Sequence, residues 1–285
     1  MITVIRVIVL GIALVITNAY AQDFQGVAVY KTSRAFDIKL DSTQVNSEMH
    51  KQMQEMLRKQ FQKTFKLSFN KEASVYKEDE TLAPPQVGSS DIQVMVVGDG
   101  GGGDILYKNT KDKRFTDQRD VYGKIFLVKD ELQPIEWKLE SETKYIGEYQ
   151  CFKATFTRDI EVVSNSSFSA NDDSDETSDT ETKTETQTVI AWYTPQIPIN
   201  SGPGNYHGLP GLILEVTAGK QQIVCSKITL NPEKKIEISE PEKGKEINQE
   251  EYEKIMEKKR KEMMERFAPR KGNRRGEGIE IRIGG

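Results

Sequence analysis

Histidine is the side chain that changes charge nearest neutral pH, so a hydrolytic or proton-transfer site would be sought around His50 and His207, the whole supply in 285 residues. Neither sits in a motif that would recruit it. The chain has no Gly-x-Ser-x-Gly elbow and no His-Glu-x-x-His zinc helix. A carboxylate pair for glycoside cleavage stays open, because Asp and Glu together number 44. Gly98-Asp-Gly-Gly-Gly-Gly-Asp104 has the glycine density of a phosphate cradle. Ile105-Leu106-Tyr107 then follows as a strand, where a P-loop needs Gly-Lys-Ser/Thr opening a helix. Met49, Met53 and Met56 stand at helical spacing. Thioethers suit Cu(I), but methionine at that spacing ordinarily packs a core. Asn171–Thr186 carries seven acids and one lysine, without the glycine and terminal glutamate of a calcium loop. The residues therefore support no catalytic, cofactor-binding or metal-binding set, and the expectation is a protein that is not an enzyme. A hydrolase using His207 or a carboxylate pair is the minor alternative.

Charge and composition narrow the partners. Forty basic and 44 acidic residues leave a net charge of -4, which argues against a nucleic-acid binder. Hydrophobic residues make up 36 % and mean hydropathy is -0.60, so one core with solvated segments is expected. Residues 1–21 carry Arg6, an apolar run from Val7 to Ile16, then Ala19-Tyr20-Ala21, the order of a cleavable secretory signal. Cleavage after Ala21 would leave 285 − 21 = 264 residues, with no cysteine near the site for lipidation. The reading is a periplasmic or secreted protein that does not span the membrane once the signal is removed.

The elements that would position any site are mostly strands. Val27–Tyr30, Phe65–Phe69, Ile92–Val97, Val121–Val128, Ile135–Leu139 and Tyr145–Thr157 alternate or run apolar, with β-branched and aromatic residues. Thr188–Thr194, Leu212–Thr217, Gln222–Thr229 and Lys235–Ser239 continue the series after the acidic gap. Val45, Met49, Met53, Met56, Leu57, Phe61 and Phe65 recur at three and four, which predicts a helix over about 43–62. A second helix is predicted from Asn248, a cap with Glu251 three residues on, to about Phe267. Tyr252–Arg275 has ten bases and four acids, suited to an acidic partner or, more simply, to a solvated helix face and tail.

Two cysteines, Cys151 and Cys225, each lie in a strand-like run and are the candidate disulfide pair. Two buried thiols are the alternative. Trp192–Thr217 breaks the strand rhythm with four prolines and four glycines, and Gly208-Leu-Pro-Gly211 reads as a pre-set turn feeding a buried strand. Trp192, Tyr193, Tyr206 and His207 are the candidate recognition residues, with a core or corner role as the competing reading.

At these residues the chain resembles the GLPGLI family of exported proteins of Bacteroidota. The hexapeptide is Gly208, Leu209, Pro210, Gly211, Leu212 and Ile213. Tyr145-Ile-Gly-Glu-Tyr-Gln-Cys-Phe-Lys-Ala-Thr155, Ala191-Trp-Tyr-Thr-Pro-Gln-Ile-Pro-Ile199 and Pro134-Ile-Glu-Trp-Lys-Leu139 are similar to its other segments. Tyr206 departs mildly, standing where the family often has Phe or Trp. The resemblance implies export and a β-rich fold, and it brings no activity with it.

Together these give a mainly β, β-rich α+β expectation: a curved antiparallel sheet or partial barrel with a packed N-terminal helix and a C-terminal helix. The organisation is a signal peptide over 1–21 and a single domain over 22–245 with a disordered acidic insertion at about 165–187. A helix and basic flexible tail occupy 246–285. The functional expectation is a non-enzymatic binding or interaction module of the cell envelope, its partner an envelope protein such as an outer-membrane transporter. The alternative is a carrier of a hydrophobic, lipid-like ligand. No cofactor is expected.

Overall fold

The computed structural model describes residues 24–34, 37–38, 62–79, 103–164, 181–267 and 281–282. Alternation of inward apolar and outward polar side chains builds most of it. In β1 (Gln25–Arg34) Gly26, Ala28 and Tyr30 face inward, and in β3 (Lys63–Asn70) Leu67 and Phe69 do the same. A two-residue strand, β2 (Asp37–Ile38), pairs apart from the main sheet with β14 (Ile281–Arg282).

Two meanders make up the main sheet. The first runs β3, β4 (Ala73–Glu78), β5 (Ile105–Asn109), β6 (Arg114–Val121) and β7 (Lys124–Glu131), each antiparallel to the one before. The second runs β8 (Lys138–Ile146), β9 (Tyr149–Ser164), β10 (Glu181–Thr194), β11 (Leu212–Ala218) and β12 (Gln221–Leu230). β1 lies between β3 and β12 and joins the two meanders. At the far end β13 (Lys245–Ile247) pairs in parallel with Phe126–Val128 of β7. The result is one 12-stranded sheet, nearly all antiparallel, whose order begins at β13 and ends at β8. It is long and open rather than closed into a barrel.

Several expected strands resolve differently. Val121–Val128 is split by a tight turn, with Tyr122 and Gly123 both at positive φ (52° and 79°), so it supplies the end of β6 and the start of β7. Tyr145–Thr157 is split at Gly147 (φ 59°) into β8 and β9. Lys235–Ser239 forms no strand, and the polar strands β4 and β6 were not foreseen. β10 begins at Glu181, so residues 181–187 pair with β9 instead of belonging to the acidic insertion.

The described residues contain one helix, α1 (Gln249–Phe267). Its cap is reciprocal: the Glu251 amide donates to Asn248 Oδ1 at 2.8 Å, and the Asn248 amide donates to Glu251 Oε2 at 3.3 Å. Tyr252, Ile255 and Met256 pack on a small second core of Val121, Phe126, Val128 and Ile247. The expected N-terminal helix is not supported. Residues 43–61 lie outside the described residues, as do residues 1–21, His50 and Gly98–Gly102, while Phe65 from the end of that stripe is in β3.

The main core draws on both meanders and on the connection between β10 and β11. Ile197, Ile199 and Leu209 of that connection are at most 2 % exposed and sit with Tyr30, Leu67, Phe69, Val189 and Leu214. The 195–211 loop leaves β10 and reaches β5, six places away in the strand order, so it bridges the two meanders across one face of the sheet.

Candidate functional site

Residues 195–211 would expose many backbone polar groups to the core, and each must find a partner. Most are satisfied locally. The Leu212 amide donates to the Ile197 carbonyl at 3.0 Å, Ile213 to Ser201 at 3.1 Å and Gly211 to Leu209 at 2.8 Å. Ser74 and Ser201 hydroxyls meet at 2.9 Å, and the Tyr30 hydroxyl donates to the Ile213 carbonyl at 2.7 Å.

The remaining carbonyls are collected by Lys108, which was not foreseen as a site residue. It follows Leu106 by two in β5, so its side chain points inward, and it is fully buried. Its Nζ donates to the carbonyls of Gly202 at 2.8 Å, Gly204 at 2.5 Å and Tyr206 at 3.0 Å. An ammonium group has three N–H bonds, and all three are used. Burial pushes Lys108 down to about 7. The carbonyl triad opposes that, because a neutral amine has only two N–H donors for three acceptors.

The hexapeptide can be explained residue by residue. Gly208 sits at φ 95°, a conformation that other residues enter only with strain, and its amide donates to Asn200 Oδ1. Leu209, Leu212 and Ile213 are at most 1 % exposed, and Pro210 caps the turn from outside. A side chain at Gly211 would put Cβ 2.2 Å from the Thr194 carbonyl oxygen, so β11 can approach the end of β10 only with glycine there. Trp137 lies over Gly208 and donates its indole N–H to the His207 carbonyl at 2.7 Å. Its ring meets Phe156 edge-on with centroids 4.7 Å apart.

The four recognition candidates do not converge. Tyr193 is in the core at 6 % exposure, tilted against Phe152. Trp192 is half-buried on the opposite side of β10, with Lys144 Nζ 4.4 Å above its ring. Lys144 also pairs with Glu215 at 2.6 Å. Tyr206 is half-buried, and burial raises its pKa while nearby Arg158 lowers it. His207 Nδ1 lies 2.9 Å from the Asn205 carbonyl, so that nitrogen carries the proton and donates. Burial lowers the His207 pKa and the charge on Lys108 adds to it, while hydrogen bonds to the Asn205 and Gln133 backbone pull the other way.

Cys151 and Cys225, the candidate disulfide pair, are free buried thiols on β9 and β12. Burial pushes them up to about 11 and about 12, which makes both poor nucleophiles. Among the described residues no group of three or more His, Cys, Asp or Glu is placed to hold a metal ion. No helix among them is long and apolar enough to cross a membrane.

The geometry defines a β-sheet protein whose motif loop is anchored to the core through Ile197, Ile199 and Leu209. A family described as a protein of unknown function (Porph_ging) matches residues 137–215, from the tryptophan on Gly208 to the β11 residue just beyond the hexapeptide. The match contains most of the residues on which the resemblance to the GLPGLI family was read, and the chain fits that family there. No curated protein matches. Two solved structures, described as PNGF-II in C2 and P21 space groups, align at 14 % and 15 % identity, each with a TM-score of 0.47. The alignments cover 83 % and 84 % of this chain but 33 % and 34 % of theirs, so the chain spans about a third of those molecules.

Proposed function

We propose that the protein is an exported, non-enzymatic interaction module of the cell envelope. One observation carries this reading: β9 and β10 run on well past the sheet as a two-stranded arm. Thr157–Ser164 pairs with Glu181–Thr188, but β8 reaches β9 only as far as Thr155 and β11 reaches β10 only from Val189. Eight residue pairs extend roughly 25 Å at about 3.4 Å per residue. Thr157–Asp159, Lys183–Thr186 and Thr188 of the arm are exposed, and its outer edges offer backbone donors and acceptors of the kind that recruit another strand. The residues with chemical potential are committed elsewhere, Lys108 to three carbonyls and His207 to its own turn. Export is supported by the secretory pattern of residues 1–21.

The test replaces residues 158–187 by a short turn and compares this variant with the intact protein in envelope fractions after chemical cross-linking. The variant should still fold, because the pairing of β8 with β9 and of β11 with β10 stops short of the replaced span, with a small loss in melting temperature from the Arg158 side chain that reaches Tyr206. The intact protein alone should give cross-linked species. Equal cross-linking by both would remove the arm from the function. An N-terminus that still begins at Met1 in cells would overturn export.

A further inference from the structure

We infer that the arm pairs with the arm of a second copy, edge to edge along β10, in an antiparallel register centred on Thr184. This rests on the interaction reading above and names the occupant. Among the described residues no strand pairs with the outer edge of β10 over Glu181–Thr188. The sequence there, Glu-Thr-Lys-Thr-Glu-Thr-Gln-Thr, is complementary to itself when reversed. Centring the two-fold axis on Thr184 sets Lys183 opposite Glu185 of the second copy, twice by symmetry. The same axis sets Thr182 opposite Thr186, Thr184 opposite Thr184, and Glu181 opposite Gln187. Opposite charges and Thr–Thr pairs are the cross-strand neighbours that stabilise a ladder, and like charges destabilise it.

The neighbouring registers that keep the same faces together are penalised. Centring on Lys183 sets lysine against lysine and Glu181 against Glu185. Centring on Glu185 sets glutamate against glutamate. A one-residue slip turns the threonine face against the charged face. The two-fold arrangement is also closed, so pairing stops at a dimer instead of growing into a fibre. The other long edge is built against such pairing: β8 carries an irregularity between Leu139 and Thr143, with Lys138 and Lys144 on either side of it.

The register gives a residue-specific test. Directly opposed residues in an antiparallel pair have Cα atoms about 4.5–5.5 Å apart, within disulfide range. On oxidation the Thr184→Cys chain should form a covalent dimer through residue 184, identified by peptide mapping because Cys151 and Cys225 are also present. Thr186→Cys alone should not. Mixing Thr182→Cys with Thr186→Cys chains should restore the cross-link. By light scattering, Lys183→Glu should weaken the dimer roughly tenfold, and adding Glu185→Lys should recover it. Equal cross-linking of the Thr184→Cys and Thr186→Cys chains, or a monomer at every concentration, overturns self-pairing. If the monomeric protein still cross-links an envelope protein through the arm, the interaction reading stands and self-pairing alone falls. If arm removal changes neither, both fall.

Discussion

Lys108 shows how much a single side chain can hold in place. Replacing it by Met keeps the volume but leaves one buried and two partly buried carbonyls without their donor, so Lys108→Met should lose about 3 kcal/mol in urea denaturation. Its titration has a definite sign. Its folded value of about 7 lies below the ordinary 10.5, so between those values the unfolded chain binds more protons than the folded one. Stability of the wild type relative to Lys108→Met should therefore rise with pH across that window, by at most about 1.4 kcal/mol per unit. A flat difference from pH 6 to 10 would show that the three carbonyls hold the proton throughout. Tyr30→Phe removes the donor to the Ile213 carbonyl and should cost about 1–2 kcal/mol in the same assay. Lys108 was legible only in part. Its place two residues after Leu106 marks an inward position, but nothing in the sequence near Ile105–Asn109 shows the carbonyls that arrive from residues 202–206.

At the scale of elements, the hexapeptide works as a hinge between β10 and β11. Gly211→Ala forces Cβ into the Thr194 carbonyl and should destabilise by several kcal/mol, whereas Gly208→Ala meets strain but only ordinary contact with the Trp137 ring, 3.5 Å away, and should cost about 1–2 kcal/mol. Thermal melts of the two variants would separate them, and equal losses would refute the close-approach account. α1 rests on a separate patch, so Ile255→Ala should release the helix to proteolysis while the main melting transition stays within about a degree or two. Helix α1 was readable to within one residue because its cap and apolar stripe are local signals. The hairpin turns at Tyr122-Gly123 and Gly147 were missed because each has a single glycine with strand-forming residues close on both sides. β4 and β6 were missed because Ser74, Thr116 and Asp117 are buried polar residues inside strands.

For the whole molecule, β-rich character was legible, because alternation is a local pattern. The open ends of the sheet were not, since closure depends on strand number and curvature that no single segment encodes. The motif loop was legible as a folding device from its prolines and glycines, but its role as the bridge between two meanders was not. Hydrogen exchange should follow that architecture. Amides of β1, β11 and β12 should protect longest, α1 less, and the 157–164 and 181–188 arm least unless paired. Slow exchange in the arm that vanishes on dilution would report its pairing directly.

The place of β1 at the centre of the sheet has a consequence for how the chain reaches this structure. Its neighbour β12 lies about two hundred positions later, as in the bond from the Gln25 amide to Asn231, 206 residues on. The first meander can form as successive hairpins while the chain is still emerging. Its join to the rest must wait for nearly the last strand of the main sheet to be made. Such long-range closure is slow, and until it happens β1 and β3 expose apolar faces that invite aggregation. A chain with this ordering gains from being held unfolded until its far end arrives, and its refolding in dilute solution should be a late, single step limited by that closure.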